Sequence, residues 1–292
     1  RHTARMGTEL VRINRIKTVP TAFGESDVLK VILTLPGVKT TGEASSGFNV
    51  RGGAADQNLI LFNDGTVYNT SHLLGLFSAF NSDVIADAQL YKSSIPAEYG
   101  GRISSVLDIR SREGNANKVT GSAGIGILTS HAHLEGPIGK KTRFVLGGRT
   151  TYSDWLMKLL PEESNYSNGT ASFYDINLGL THQINSRNTL YAYGYYSHDK
   201  FGFGQDTSYK YRNLNASLKW RSNFNDHHNM VVSAGIDHYG YDSLDLGNPA
   251  TAYQMSFGIS QAFARLNFNY TINEKHALSY GAQGILFNVN SG

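Results

Sequence analysis

From residue 118 onward the chain alternates apolar and polar positions in runs of about ten residues separated by turns, a period of two that puts each set on one side of a sheet. In one run Tyr174, Ile176, Leu178 and Leu180 share a face, and Asp175, Asn177, Gly179 and Thr181 share the other. In another, Leu214, Ala216, Leu218 and Trp220 oppose Asn215, Ser217, Lys219 and Arg221. In a third, Ala264, Leu266, Phe268 and Tyr270 oppose Arg265, Asn267 and Asn269. About nine such runs are present, the spacing of transmembrane β-strands. The connections alternate in length as well. Short polar turns fall at Gly139–Lys141, Asn185–Asn188, Asp226–His228 and Asn273–Lys275, with longer segments at Trp155–Ala171, Gly204–Tyr211 and Leu244–Tyr253. Short turns at one end and long loops at the other separate an outer-membrane barrel from a soluble sandwich. Tyr152, Trp155, Trp220, Tyr241 and Tyr270 near strand ends fit interfacial girdles, although tyrosine is also simply a good strand former.

The first 117 residues have a different rhythm. Glu25-Ser-Asp27 before Val28, Leu29, Ile32 and Leu33 predicts a capped amphipathic helix, closed by Pro36-Gly37. Extended runs follow at Phe48–Arg51, Leu59–Asn63, Ala88–Lys92 and Ser105–Arg110, separated by Gly-Gly, Asp64-Gly65 and Tyr99-Gly-Gly101. Ser71–Phe80 reads as a loop and short helix, with Asn81–Asp83 capping what comes next.

Composition sharpens this division. Residues 1–117 hold 8 of the 33 Phe, Tyr and Trp, and residues 118–292 hold the other 25. The turn chemistry of Gly114–Lys118 marks the change, giving domains 1–117 and 118–292. The fold class expected is therefore an α+β domain followed by part of an antiparallel transmembrane β-barrel. The 31 Gly and 17 Tyr disfavour a helical bundle. With 26 basic and 23 acidic residues the net charge is +3, which does not suggest a nucleic-acid partner. The absence of cysteine removes disulfides, thiolate metal sites and thiol nucleophiles. No run approaches the apolar length of a transmembrane helix, and Arg1–Glu9 is too polar for a secretory signal.

Several ordered motifs resemble a known family. Ser46–Gly53 (SGFNVRGG), Asp56–Gly65 (DQNLILFNDG), Leu90-Tyr-Lys92 and Ala97–Arg102 (AEYGGR) resemble the plug domain of TonB-dependent outer-membrane receptors, particularly the Bacteroidota type. Leu134–Ile138 and Gly148–Tyr152 are similar to the first barrel strands of that group. The resemblance implies energy-coupled uptake of a scarce ligand, such as a metal chelate, cobalamin, glycan or peptide, across the cell outer membrane of a Gram-negative bacterium. It implies TonB with ExbB and ExbD as partners of the full-length receptor, outer-membrane lipid around the wall, and a lipoprotein lid as a further candidate partner. A full barrel of the family has about 22 strands. With about nine strands and no recognisable TonB box, this chain reads as an internal piece of a longer receptor, its open sheet edges paired by further strands. A passive porin or surface-binding module is the alternative, against which the plug-like first part argues.

Candidate sites follow from the same motifs. Arg51 and Arg102 each lie beside a Gly pair, and the resemblance implies that such plug arginines pair with barrel carboxylates as an ionic lock. Glu98 is a partner nearer in sequence. Ligand contacts are expected from the outward plug loops Thr40–Ser46 and Tyr68–Leu76, the second carrying Tyr68, Asn69, His72 and Leu73, which suit polar ligands by stacking and hydrogen bonding. His131 and His133 share one strand face and His227-His228 sit in a turn, but neither pair has metal-site spacing, so no metal and no cofactor are expected. Gly136–Thr142 lacks the phosphate-loop spacing, and no nucleophile elbow or acid/base constellation occurs, so no enzyme is expected. Two N-x-[ST] sequons, at Asn165 and Asn168, have no glycosylation meaning in a bacterial barrel.

Overall fold

Asp27 starts the helix. In the computed structural model its carboxylate accepts from the N–H groups of Leu29 at 2.8 Å and Lys30 at 3.3 Å, capping α1 (Val28–Leu33). The structure describes residues 8–12, 26–40, 48–50, 58–93, 95–100, 104–152, 155, 158–159, 169–203 and 206–291. Val28, Leu29, Val31 and Ile32 of α1 are fully covered because they pack on a five-stranded sheet. Its strands run in the order β1 (Thr8–Arg12), β8 (Ile85–Tyr91), β9 (Ser105–Ser111), β4 (Asn58–Phe62) and β5 (Gly65–Thr66). β4 and β9 are parallel and the other neighbours antiparallel. Leu90, Leu107 and Ile109 supply the sheet's contribution to the core, joined by Phe62 and Phe80.

Smaller pieces surround this sheet. β2 (Val38–Thr40) pairs with β3 (Phe48–Val50), and β6 (Ser71–His72) pairs with β7 (Phe77–Ser78) across a 3-10 turn at Leu73–Gly75. The short helix expected within Ser71–Phe80 is thus a single tight turn inside a hairpin. Asn81 caps a turn rather than a helix: its side chain accepts from Asp83 N–H at 3.0 Å just before β8. β4 and β5 form a hairpin whose two-residue loop, Asn63 and Asp64, has φ of 48° and 71°. Both values are those of a type I′ turn, which an Asn-Asp-Gly sequence favours.

The remaining elements make one antiparallel sheet of nine strands in chain order. They are β10 (Thr120–Ile125), β11 (Thr129–Ile138), β12 (Thr142–Thr151), β13 (Thr170–Gln183), β14 (Asn188–Phe203), β15 (Thr207–Asn223), β16 (His228–Asp245), β17 (Tyr253–Thr271) and β18 (Ala277–Asn290). Its burial is inverted relative to a soluble protein. Ile176, Leu178, Leu218 and Ile236 stand exposed, whereas Asp175, Asn177, Asn215 and Asp237 are covered. The apolar face is the lipid face, and the polar face looks inward onto the plug. From β13 on, the strands run 14 to 19 residues rather than about ten. Two expected loops are partly strand as a result, since β15 starts at Thr207 and β17 at Tyr253. Alternation fades where the strands rise past the lipid and both faces meet water, while backbone pairing continues.

Candidate functional site

The plug is seated on the wall by three polar clusters, and the tip of the β4–β5 hairpin forms the first. Thr66 N–H donates to Asp237 Oδ2 at 2.9 Å, and Asn215 Nδ2 donates to Thr66 O at 2.9 Å and to Asp237 Oδ1 at 2.8 Å. Gln261 Nε2 reaches Thr66 Oγ1 at 3.2 Å and Asp237 Oδ2 at 3.1 Å, and Tyr68 OH donates to Gln261 Oε1 at 2.8 Å. Cations of the wall close on the turn itself. Arg265 Nη1 donates to Asp64 O at 2.6 Å, Lys219 Nζ lies 2.7 Å from Asp64 Oδ2, and Ser217 Oγ donates to Asn63 O at 3.1 Å. Gly65 makes this approach feasible, since a Cβ there would lie 2.5 Å from Asp237 Oδ1.

A second cluster surrounds His72, which has no exposed surface. Its Nδ1 is 2.6 Å from Asp199 Oδ1 on β14 and its Nε2 is 3.2 Å from Asp175 Oδ2 on β13. Arg149 of β12 places Nε at 2.9 Å and Nη2 at 2.5 Å from the same Asp175 oxygen. Its Nη2 also donates to Ser78 O at 2.8 Å, while Ser78 N–H donates to the helix-capping Asp27 at 3.2 Å. A continuous polar path therefore runs from the wall through β7 to α1. The imidazole stacks on Phe173 with ring centres 4.1 Å apart. Burial alone would push His72 towards neutrality, but the carboxylates of Asp199 and Asp175 outweigh it and hold its pKa above the ordinary histidine value. With His72 protonated, two cations face two carboxylates, so the knot is balanced.

The third cluster lies where the plug sheet hands over to the wall. His131 Nδ1 is 2.6 Å from Asp83 Oδ2, Arg112 Nη2 is 2.6 Å from Glu135 Oε1, and Arg143 Nη2 is 2.6 Å from Glu113 Oε2.

Above the His72 knot, towards the long-loop end, lies a cavity of about 350 Å³. Tyr68, Asn69, Ser71 and Leu73 line it from the plug, and Asp199, Tyr211 and Tyr239 line it from the wall. Asp199 belongs to both features, because its Oδ2 also accepts from Leu73 N–H at 3.0 Å. Three of the residues expected at the outward plug loops, Tyr68, Asn69 and Leu73, thus meet at one cavity, while His72 lies beneath it in the knot. Glu98 lies at the rim of a larger hollow, beside Arg265 and Gln283 at the β17–β18 edge. Arg51, Arg102, the loop Thr41–Ser46 and the sequons at Asn165 and Asn168 lie outside the described residues. The wall residues of the seat, Asp175, Asp199, Asn215, Asp237 and Gln261, carry no motif. Their only signal is that each falls on the polar face of an alternating strand.

A mixed plug sheet held by polar contacts against the inner face of a wall that is apolar outside is the plug-and-barrel fold of outer-membrane receptors. Solved structures with this arrangement cover nearly the whole chain. The ferric enterobactin receptor PfeA of Pseudomonas aeruginosa, in a mutant form, is similar with a TM-score of 0.74 at 16% identity over 98% of this chain and 49% of its own. The siderophore receptor PirA of Acinetobacter baumannii is similar at 0.70 and 14% identity, over 97% of this chain and 48% of its own. The copper transporter OprC is similar at 0.73 and 10% identity, over 97% of this chain and 46% of its own. At these identities what is shared is the fold, and all three are named as receptors or transporters rather than enzymes. The chain spans about half the length of these structures. No family model and no curated protein matches the sequence.

Proposed function

We propose that the full-length protein is a TonB-dependent outer-membrane receptor that takes up a scarce ligand, a metal chelate, cobalamin, glycan or peptide, by energy-coupled transport into the periplasm. The observation that carries this reading is the chemistry of the seat. The β4–β5 tip is fixed to the wall by hydrogen bonds and an ion pair that water can replace, and the β6–β7 hairpin by the ion knot together with one small apolar cluster, Leu73 and Phe77 against Leu128, Ala171 and Phe173. A plug held in this way can be displaced with most of its own hydrophobic core, between α1 and the five-stranded sheet, still covered, since among the described residues the wall contributes only Tyr195 to it. In this reading ligand settles in the cavity between Tyr68, Asn69 and Leu73 of the plug and Tyr211 and Tyr239 of the wall. Asp199, which faces the cavity and holds both His72 and Leu73, passes occupancy to the plug. TonB, with ExbB and ExbD, supplies the pull, and a lipoprotein lid is a further candidate partner.

The test is growth of cells that carry the full-length receptor and depend on it for iron, cobalamin, a glycan or a peptide. Growth that stops when TonB is deleted supports energy-coupled uptake. Growth that persists without TonB, together with ion conductance by the purified barrel in a planar bilayer, assigns it instead to the passive porins.

A further inference from the structure

On the lipid face, the alternation of β14 to β18 ends abruptly towards the long-loop end. The cross-strand row Gly194, Ala216, Ile236, Ala262 and Leu286 contains no polar side chain. One step further along the same face the row is Tyr196, Leu214, His238, Ser260 and Asn288, and the next is His198, Arg212, Gly240, Gly258 and Asn290. The last runs from Lys200 through Lys210 and Asp242 to Ser256. Tyr174 and Tyr196, with ring centres 6.1 Å apart, mark the interfacial girdle at this height. These rows therefore stand at the level of the lipid headgroups in the outer leaflet, not of the acyl chains.

Gly240 and Gly258 are paired directly, and without side chains they leave a dent in the outer wall of about 200 Å³. Its sides are Arg212, His238, Asp242, Ser256, Ser260 and Asn288. The side chains are already organised: Arg212 Nη2 donates to Asp242 Oδ2 at 3.0 Å, Ser256 Oγ donates to Asp242 Oδ1 at 2.7 Å, and His238 Nδ1 is 2.8 Å from Ser260 Oγ. The Arg212 and Asp242 side chains remain 48% and 40% exposed, so the pair can still take a ligand. The two polar rows nearest the long loops carry three cations, Lys200, Lys210 and Arg212, and one carboxylate, Asp242, which Arg212 pairs, so the surplus is positive. A phosphate ester matches this set, with Arg212 inside the dent and Lys210, the cross-strand neighbour of Asp242, outside its lining for charge, and the serine and asparagine side chains for its remaining oxygens and neighbouring hydroxyls.

We propose that the dent at Gly240 and Gly258 binds the phosphorylated headgroup of an outer-leaflet lipid, whose acyl chains lie down the apolar rows below. This site faces away from the cavity and the plug, and it requires the barrel to sit in a bilayer but not energy-coupled uptake. The test reconstitutes the full-length receptor in phosphatidylcholine nanodiscs doped with lipid A, either phosphorylated or dephosphorylated, and reads lipid retained after detergent extraction by native mass spectrometry. Retention of the phosphorylated lipid, falling about tenfold in Arg212→Gln and in Lys210→Gln, is the expected result. Gly258→Leu, whose Cβ meets only His238 Cε1 and Tyr239 O at ordinary contact distance, fills the dent and gives the same loss, whereas Lys141→Gln at the opposite end of the wall does not. Equal retention of the dephosphorylated lipid, or unchanged retention in both charge variants, overturns the proposal. Displacement by inorganic phosphate alone at equal concentration also overturns it, because the site would then take phosphate without a lipid.

Discussion

In the plug sheet Leu90, Leu107 and Ile109 are buried to the last atom, whereas in the wall Ile176, Leu178 and Leu218 stand exposed and Asp175, Asn177 and Asp237 are covered. The two regions use the same backbone pattern, a period of two, with opposite solvents. The plug is built for water outside and oil within, and the wall for oil outside and water within. Where they meet, each presents mainly its polar side to the other, which is why, among the described residues, polar bonds outnumber apolar contacts between them. Apolar contacts also cross this boundary: Tyr195 of the wall reaches the plug core, meeting Phe62 edge-on at 5.9 Å, and Phe173 packs on Phe77 of the β6–β7 hairpin at 5.4 Å beside Leu73 and Leu128.

The comparison breaks most severely at the buried ion knot. Asp175→Ala leaves Arg149 and His72 as covered cations with one carboxylate between them, and should cost about 3–5 kcal/mol of plug seating. Hydrogen exchange at the β6–β7 hairpin in the full-length protein would read this as faster opening, and unchanged exchange would mean that the knot does not hold the plug. A slightly smaller effect separates the two regions directly. Leu107→Ala in the plug core should cost about 2–5 kcal/mol, while Leu218→Ala on the lipid face should cost under about 1 kcal/mol. Proteolytic sensitivity of the plug and denaturant resistance of the barrel measure these separately, and equal losses would contradict the inversion. Gly65→Ala should loosen only the hairpin tip, by about 1–3 kcal/mol, since its new methyl meets Asp237.

The mildest perturbation is pH. His72 has a raised pKa in the folded state, so its contribution is complete below the ordinary histidine value near 6.5 and is lost as pH rises through the higher folded value. The hairpin should accordingly open more readily at alkaline pH. Because the chain has no cysteine, Ser71→Cys introduces a thiol here whose maleimide labelling reports that opening. Labelling should accelerate with pH beyond the reagent's own dependence, and His72→Gln should remove the excess. An excess that survives in His72→Gln would assign it to another group.

Much of this architecture was legible in the residues, and the reasons are specific. Alternation at Tyr174–Thr181 and Leu214–Arg221 is long and clean because lipid enforces it, and Asp27 announces its helix by chemistry and position. β1 was missed because five residues, Thr8–Arg12, carry too little pattern, and only Val11 is buried. The two-residue strands β6 and β7 exist through tertiary bonds rather than local preference. Tyr68, Asn69, His72 and Leu73 could be chosen as a group, but nothing local distinguishes His72 as the residue beneath the cavity. Its partners Asp199 and Asp175 are 127 and 103 residues away in the chain.

Such separations also bear on assembly. Thr66 is 171 residues from Asp237, and Asp64 is 201 from Arg265. Loops of that length close only after local structure is in place. The turn at Asn63 and Asp64 can form from its own sequence, but its seat needs Asn215, Asp237 and Gln261 side by side on β15, β16 and β17. A slip of one residue in β16 would turn Asp237 to the lipid and leave Thr66 N–H without its acceptor. The hairpin tip therefore proofreads the barrel: it locks only onto a wall whose strands have found their register.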